Sequence, residues 1–272
     1  MHDCKSCRWP TKNKERAGKT DRVDCRKLAR SLRNGEIEGI YVPSRPNIED
    51  RGLIRTRHNM VTKQTRCKNQ IKSILSFYGI HIPEELAEGR WSKRFINRID
   101  QIRMEKASGN LSFKAHLDEL NHIRGIIANL NKGILILAKT EEYRTNIRLL
   151  KTIPGISTLS AMTLLTELSD INRFQSLDKL ASYIGLIPNT NSSGEKDNKT
   201  SMTGRRNSIL RTLLIESSWI ALRKDPALLM AFNKPCKKSA KTKAVVRIAR
   251  KLLNRIRYVL KNQKEYITAV VE

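Results

Sequence analysis

Between Leu120 and Leu137 the apolar residues Leu120, Ile123, Ile127, Leu130, Ile134 and Leu137 recur at alternating steps of three and four. A strand cannot keep that spacing on one face. A helix that carries it presents a narrow apolar seam, which a second helix must cover. A partner precedes it in the chain. Leu53, Met60, Cys67 and Ile74 recur every seven residues, with Ile71 and Tyr78 on the adjacent line and Arg55, Arg57, Lys63, Arg66, Lys68 and Lys72 on the polar surface. The polar stretch from Pro83 to Ser112 separates the two segments, so the simplest arrangement is an antiparallel helical hairpin or coiled coil. Ordinary core helices of one α-helical domain are the alternative.

After Leu150 the chain is more apolar. Thr152-Ile153-Pro154-Gly155-Ile156-Ser157 lies between helical patterns, with Leu159, Met162, Leu164, Leu165 and Leu168 following. A helix, a Pro-Gly turn and a second helix make a helix-hairpin-helix, whose turn amides at Gly155 and second helix N-terminus can face a DNA phosphate; taken alone, Pro-Gly is only a turn. Leu177, Leu180, Ala181, Tyr183 and Ile184 predict another helix, stopped at Gly185. Asn189 to Asn207 read as a long polar loop, and loops of that length inside a domain are functional or disordered. The helix after it carries Ile209, Leu210, Leu213 and Leu214, with Arg211 near its start. A last helix, roughly Ala244 to Lys264, has Ile248, Leu252, Leu253, Ile256, Val259 and Leu260 on one face. Around the other stand Arg247, Arg250, Lys251, Arg255, Arg257 and Lys261, either lying along a phosphate backbone or forming a solvated basic face.

The charge agrees with a polyanionic partner. Among 272 residues, 53 Lys and Arg stand against 26 Asp and Glu, a net charge of +27 spread along the whole chain. Aromatic residues make up only 5%, which argues against single-strand binding on base-stacking platforms. No run of about 18 apolar residues suggests a membrane span, and the polar N-terminus has no secretory signal, so the expected compartment is the cytoplasm. The five cysteines include one close pair, Cys4 and Cys7, with no second pair to complete a zinc site. The five histidines are scattered and are assigned no chemistry.

Residues 1–18 are polar and basic without a hydrophobic period. From Thr20 the order of Asp21, Val23, Asp24, Leu28, Ala29, Leu32 and Gly35 predicts a short capped helix, and Ile40-Tyr41-Val42-Pro43 a short extended segment. Lys19-Thr20-Asp21-Arg22-Val23-Asp24, followed by Lys27-Leu28-Ala29-Arg30 and Ile40-Tyr41-Val42-Pro43, resembles the end of the RNase H-like (RuvC-like, DEDD) nuclease domain of the one-ten, one-sixteen and nine-oh-two group of bacterial insertion-sequence transposases. Downstream, Ile153-Pro154-Gly155-Ile156, Tyr183-Ile184-Gly185-Leu186-Ile187-Pro188, Ser192-Ser193-Gly194, and Asn207 with Arg211 resemble that group's C-terminal domain in order and spacing. The resemblance covers about Ala17 to Tyr266.

It implies a mainly α chain in three parts: a remnant of the nuclease domain (1–45), a helical coiled-coil linker (46–148) and a compact C-terminal transposase domain with a helix-hairpin-helix (149–272). It also implies DNA transposition and recombination. Asp21 and Asp24, one helical turn apart, match the last two of the family's four acidic residues and would bind Mg2+ through oxygen; otherwise an acidic first turn complements the helix dipole. Ser193 matches the family's serine, with Ser192 the close alternative and a plain turn the reading without the resemblance. Attack by that hydroxyl on a DNA phosphate would use Arg205, Arg206 and Arg211 to stabilise the developing charge. The nucleic-acid-binding set expected is Gly155, Arg205, Arg206, Arg211, Arg247, Arg250 and Lys251. Expected partners are DNA, a structured guide RNA and further copies of the chain.

Two departures are visible. The strands that carry the family's first two acidic residues have no counterpart in the 20 or so residues before Asp21, so the expectation is a transposase that is N-terminally truncated or inactive, with half its metal site. Arg206 stands where relatives commonly have glycine. A non-catalytic regulator that assembles with full-length transposase through Leu120 to Leu137 is the alternative from another class.

Overall fold

The computed structural model describes residues 20–37, 39–80, 91–193, 196–202, 206–236 and 240–268, with backbone pairing alone over the strands between 188 and 202. These residues form ten helices and one two-stranded sheet, a mainly α fold. The chain divides into two compact units at Arg45/Pro46.

In the first unit the predicted short helix is present as α1 (Asp21–Arg33). Asp21 and Asp24 occupy its first turn and Arg30 and Arg33 its last, each sign at the favourable end of the helix dipole. Thr20 precedes it in an extended conformation but makes no side-chain cap. Leu32 is 71% exposed, whereas Ser31 is buried and donates to Glu36 Oε2 at 2.8 Å. Ile40-Tyr41-Val42-Pro43 belongs to neither helix nor strand, and its three hydrophobic side chains are exposed. No strand occurs among the described residues of this unit.

The second unit contains the helical hairpin, built from α2 (Arg45–Phe77) and α4 (Ala107–Leu137). Two contacts show its antiparallel course. Arg57 Nε donates to Asn131 Oδ1 at 2.7 Å, and farther along α2 Cys67 Sγ donates to the His116 carbonyl, earlier in α4, at 3.4 Å. Leu120, Ile123 and Ile134 of the seam are buried, and Ile127, Leu130 and Leu137 half-buried. On α2 the buried line is Ile54, Cys67, Ile71 and Leu75, not the strict seven-residue series. A helix of 3.6 residues per turn drifts against such a series, leaving Leu53, Met60 and Ile74 half-buried, while Tyr78 lies past the helix end and is exposed.

The segment read as a polar separator holds a helix, α3 (Lys93–Asp100), and α4 begins within it at Ala107. Ser92 Oγ caps α3 by accepting from Phe95 N at 3.2 Å. Phe95, Ile96 and Ile99 pack in one cluster with Cys67, Ile71, Phe113 and Leu117. Three apolar residues at helical spacing suffice here because their basic neighbours point to solvent.

The C-terminal part packs α5 (Glu141–Lys151), α6 (Thr158–Leu168), α7 (Leu177–Ile184), α8 (Ser208–Ala221), α9 (Pro226–Cys236) and α10 (Lys241–Asn262) around one core. Helix α10 contributes nine buried residues, among them Ile248, Leu252, Leu253 and Ile256. The same core takes in Ile54 and Ile134 from the hairpin, and Tyr143 of α5 donates to Asp50 of α2 at 2.8 Å. Gly185 ends α7 in the left-handed conformation, φ +86, as the sequence predicts.

The polar loop expected over Asn189 to Asn207 is instead largely a β-hairpin. Strand β1 (Pro188–Ser193) pairs antiparallel with β2 (Lys196–Met202), Ser193 opposite Lys196 and Ser192 opposite Asp197. Backbone hydrogen bonds make this ladder, so it needs no apolar alternation and leaves no hydrophobic trace in the sequence. Gly194, between the strands, lies outside the described residues.

Candidate nucleic-acid interface and serine hairpin

Angular position on α10 decides what each of its basic residues does. Lys243, Arg247, Lys251, Asn254 and Tyr258 are all exposed and fall within an arc of roughly 80° at 3.6 residues per turn, opposite the buried face. Arg250 and Arg257 lie at one edge of this line and turn back onto the protein: Arg250 pairs with Asp178, and Arg257 donates to the Gln175 carbonyl at 3.1 Å. Arg255 lies at the opposite edge and pairs with the buried Asp225, which also accepts from Tyr266 Oη at 2.7 Å and Leu228 N at 3.1 Å. Of the three α10 cations expected to meet nucleic acid, Arg247 and Lys251 are exposed, while Arg250 is held in an ion pair.

The serine hairpin returns to the domain at Asn207, the N-cap of α8, whose Oδ1 accepts from Leu210 N at 3.1 Å. Its Nδ2 donates to Glu167 Oε2 at 2.7 Å. Glu167, on α6, has a side chain 0% exposed and receives a two-pronged contact from Arg55 of α2, Nε at 2.6 Å and Nη2 at 2.8 Å. Burial pushes the Glu167 carboxyl up, but hydrogen bonds from Arg55 and Asn207 and the charges of Arg55 and Arg51 outweigh it and hold the group below its ordinary value. Beside this cluster Arg206 is exposed and Arg211 half-buried. Burial, and then the charge of Arg206, lower the Arg211 guanidinium. Two cations that disfavour each other are a favourable setting for an anion. Arg205 lies outside the described residues.

Gly155 is bound to the fold by its backbone. The turn between α5 and α6 holds it at φ +89, and a Cβ there would stand 2.4 Å from the Ser217 carbonyl oxygen of α8. Ser157 caps α6, its Oγ accepting from Ser160 N at 3.1 Å. Together they line a cavity of about 280 Å³ with Arg57, His58 and Thr212.

Asp21 and Asp24 share the first turn of α1. Magnesium is commonly held by one or two carboxylates, with water and phosphate completing its shell, so the pair suits the donor chemistry. No third acid, His or Cys joins them among the described residues.

A family model described as the transposase IS116/IS110/IS902 family matches residues 147–233, the stretch that holds Glu167, Ser193 and Asn207. A second, the DEDD transposase model of the IS110 type, matches residues 5–80, which hold Asp21, Asp24 and Arg55. The chain belongs to the IS116/IS110/IS902 family of insertion-sequence transposases. A Sinorhizobium fredii protein named as a transposase is 26% identical over 201 residues, covering 74% of this chain and 47% of its own length. The transposase of insertion sequence IS1111A from Coxiella burnetii is 28% identical over 253 residues, 91% of this chain and 65% of that protein. The pilin gene-inverting protein of Moraxella bovis is 33% identical over 141 residues, half of this chain and 44% of that protein. The chain therefore spans about half to two thirds of the length of these relatives.

Sequence reasoning missed Glu167 and Arg55, although a single acid in the apolar run of α6 was a signal. It also missed Lys243, Asn254 and Tyr258, which continue the exposed line of Arg247 and Lys251 at steps of three and four.

Proposed function

We propose that this transposase-family chain grips the DNA backbone along the exposed line of α10 and that its serine hairpin carries out strand transfer on the insertion sequence. The observation that supports this best is the line itself: Lys243, Arg247 and Lys251 stand free of the core on the outer face of a helix whose inner face is fully buried. In the reaction the Ser193 oxygen bonds to a backbone phosphorus as the bond from phosphorus to one sugar oxygen breaks, and the serine proton passes to that departing oxygen. The covalent link conserves bond energy for rejoining. Arg206 and Arg211 hold the phosphate oxygens. Asp21 and Asp24 are the groups that would hold magnesium, which supplies charge neutralisation at phosphate oxygen when bound.

A structured RNA and further copies of the chain are the partners the family resemblance adds, in the bacterial cytoplasm. A regulator that assembles through Leu120 to Leu137 is not favoured, because that seam already packs against α2 within the chain.

Binding to duplex DNA measured across salt concentrations tests the grip. Removing three phosphate contacts in the variant K243A/R247A/K251A should lower the slope of log K against log salt by about 2 to 3; an unchanged slope would place the DNA elsewhere. Ser193→Ala should leave binding intact and abolish strand transfer. Activity retained in Ser193→Ala and lost in Ser192→Ala would move the nucleophile by one residue.

A further inference from the structure

Glu167 spends a buried carboxylate on two partners from opposite directions. From α2 comes Arg55, in a two-pronged contact at 2.6 and 2.8 Å, and from the base of the serine hairpin comes Asn207, at 2.7 Å. The surroundings hold each part in one orientation. Tyr183 Oη donates to the Glu167 carbonyl at 3.2 Å, and Asn207 N reaches the Tyr183 carbonyl at 3.4 Å. Ser169, just beyond α6, keeps a positive φ of 56 while its hydroxyl donates to Asn47 Oδ1 of α2 at 2.6 Å. Asn47, Arg51 and Arg55 stand four residues apart on one face of α2, the face turned to the end of α6. The Asn207 amide has one workable orientation, because its oxygen accepts from Leu210 N while its nitrogen meets the carboxylate.

We infer that Glu167 is a positioning residue, a buried anionic latch through which the helical hairpin sets where the serine hairpin re-enters the domain. A core without this charge would hold α6 against α8 at least as well, since a buried ion pair stabilises little compared with apolar packing. The carboxylate adds direction: it fixes Arg55 and Asn207 relative to each other, and Asn207 is the N-cap from which α8 starts. The inference rests on strand transfer being the work of this hairpin.

The test exchanges the polarity of one contact. In Glu167→Gln the amide nitrogen meets a donor in either orientation, Arg55 Nε at one position or Arg55 Nη2 and Asn207 Nδ2 at the other, because Glu167 Oε2 accepts from both of the latter. In Asn207→Asp two carboxylates meet. In the double variant E167Q/N207D the amide nitrogen introduced on α6 donates to the carboxylate introduced at the N-cap of α8, Arg55 Nε keeps the amide oxygen as acceptor while Arg55 Nη2 loses its own, and α8 keeps an acidic cap. Hydrogen exchange over residues 196–214 and over 241–262 is measured in the full chain, together with DNA affinity and the turnover of strand transfer.

The expected result for each single variant is faster exchange confined to 196–214 and turnover lower by about 10-fold to 100-fold, as misplacement of about 1 Å produces. DNA affinity should be unchanged, and the double variant should recover part of both exchange and turnover, the prong at Arg55 Nη2 staying lost. Arg55→Lys keeps the charge and loses the two-pronged contact. It should show the same local change to a smaller degree, and it carries the test if Glu167→Gln does not fold. Exchange over 196–214 that stays as in the parent chain, or a double variant no better than the singles, overturns the latch. Exchange that responds and recovers in a chain whose parent shows no serine-dependent strand transfer supports the latch and overturns the proposed function.

Discussion

At Gly155 the backbone has no room for a side chain. A Cβ there would meet the Ser217 carbonyl oxygen at 2.4 Å and the Ala221 nitrogen at 3.2 Å, both backbone atoms of α8, at a φ of +89 that other residues rarely adopt. Neither neighbour can move without shifting a helix. Gly155→Ala is expected to destabilise the chain by about 2 to 4 kcal/mol, combining backbone strain with overpacking; urea unfolding measures it. In the sequence this glycine fits either a DNA phosphate contact or a plain turn. Phosphate contact as the glycine's main role would instead leave the unfolding midpoint in place and weaken DNA binding alone.

Among the elements, the helical hairpin was visible in the sequence because a seam at steps of three and four survives any detail of packing. Its partner line on α2 was placed slightly off, because over a 33-residue helix a strict heptad and a straight helix part company. Helices α3 and α9 are hard to see in the sequence because each is short, and the few apolar residues it carries gain their stability from the core they meet. Glu167 was passed over for a related reason: an acid is placed in a core by partners distant in sequence, here Arg55 and Asn207, and one sequence does not show them. The β-hairpin looks like a loop in the sequence because a ladder of backbone hydrogen bonds requires no apolar alternation. The hairpin helices yield a sharp test of where their seam is spent. Leu120→Ala removes a side chain 0% exposed and should cost about 2 to 5 kcal/mol. Ile136→Ala, on a residue 70% exposed, should stay within about 0.5 kcal/mol. Light scattering should find the native mass of Leu120→Ala unaltered, since the seam is covered from within; a change in oligomeric state would mean that it also joins copies.

For the molecule as a whole, a net charge of +27 makes acid a double stress. As pH falls, the 26 Asp and Glu lose their charge and the remaining cations repel one another. Glu167 and Asp225 add a specific term. Burial raises the Asp225 carboxyl, but the Tyr266 hydroxyl, the Leu228 amide and Arg255 together hold it below its ordinary value, as their counterparts do for Glu167. A carboxyl depressed in the folded chain gives stability that is present above its unfolded pKa, near 4, and is lost as pH falls through the folded value. Stability should therefore hold from neutral pH to about 5 and drop steeply below about 4. Asp225→Asn separates the two stresses, because Asn keeps the shape and the cap on α9 while giving up the charge that faces Arg255. At pH 7 it should be less stable than the parent by about 2 kcal/mol, the scale of a hydrogen bond to a charged group. At pH 3 the difference should shrink toward zero, since the parent is by then giving up the same charge. Urea unfolding at the two pH values decides it. A difference that stays constant would assign the role of Asp225 to hydrogen-bond geometry, with the acid sensitivity left to the net charge of the chain.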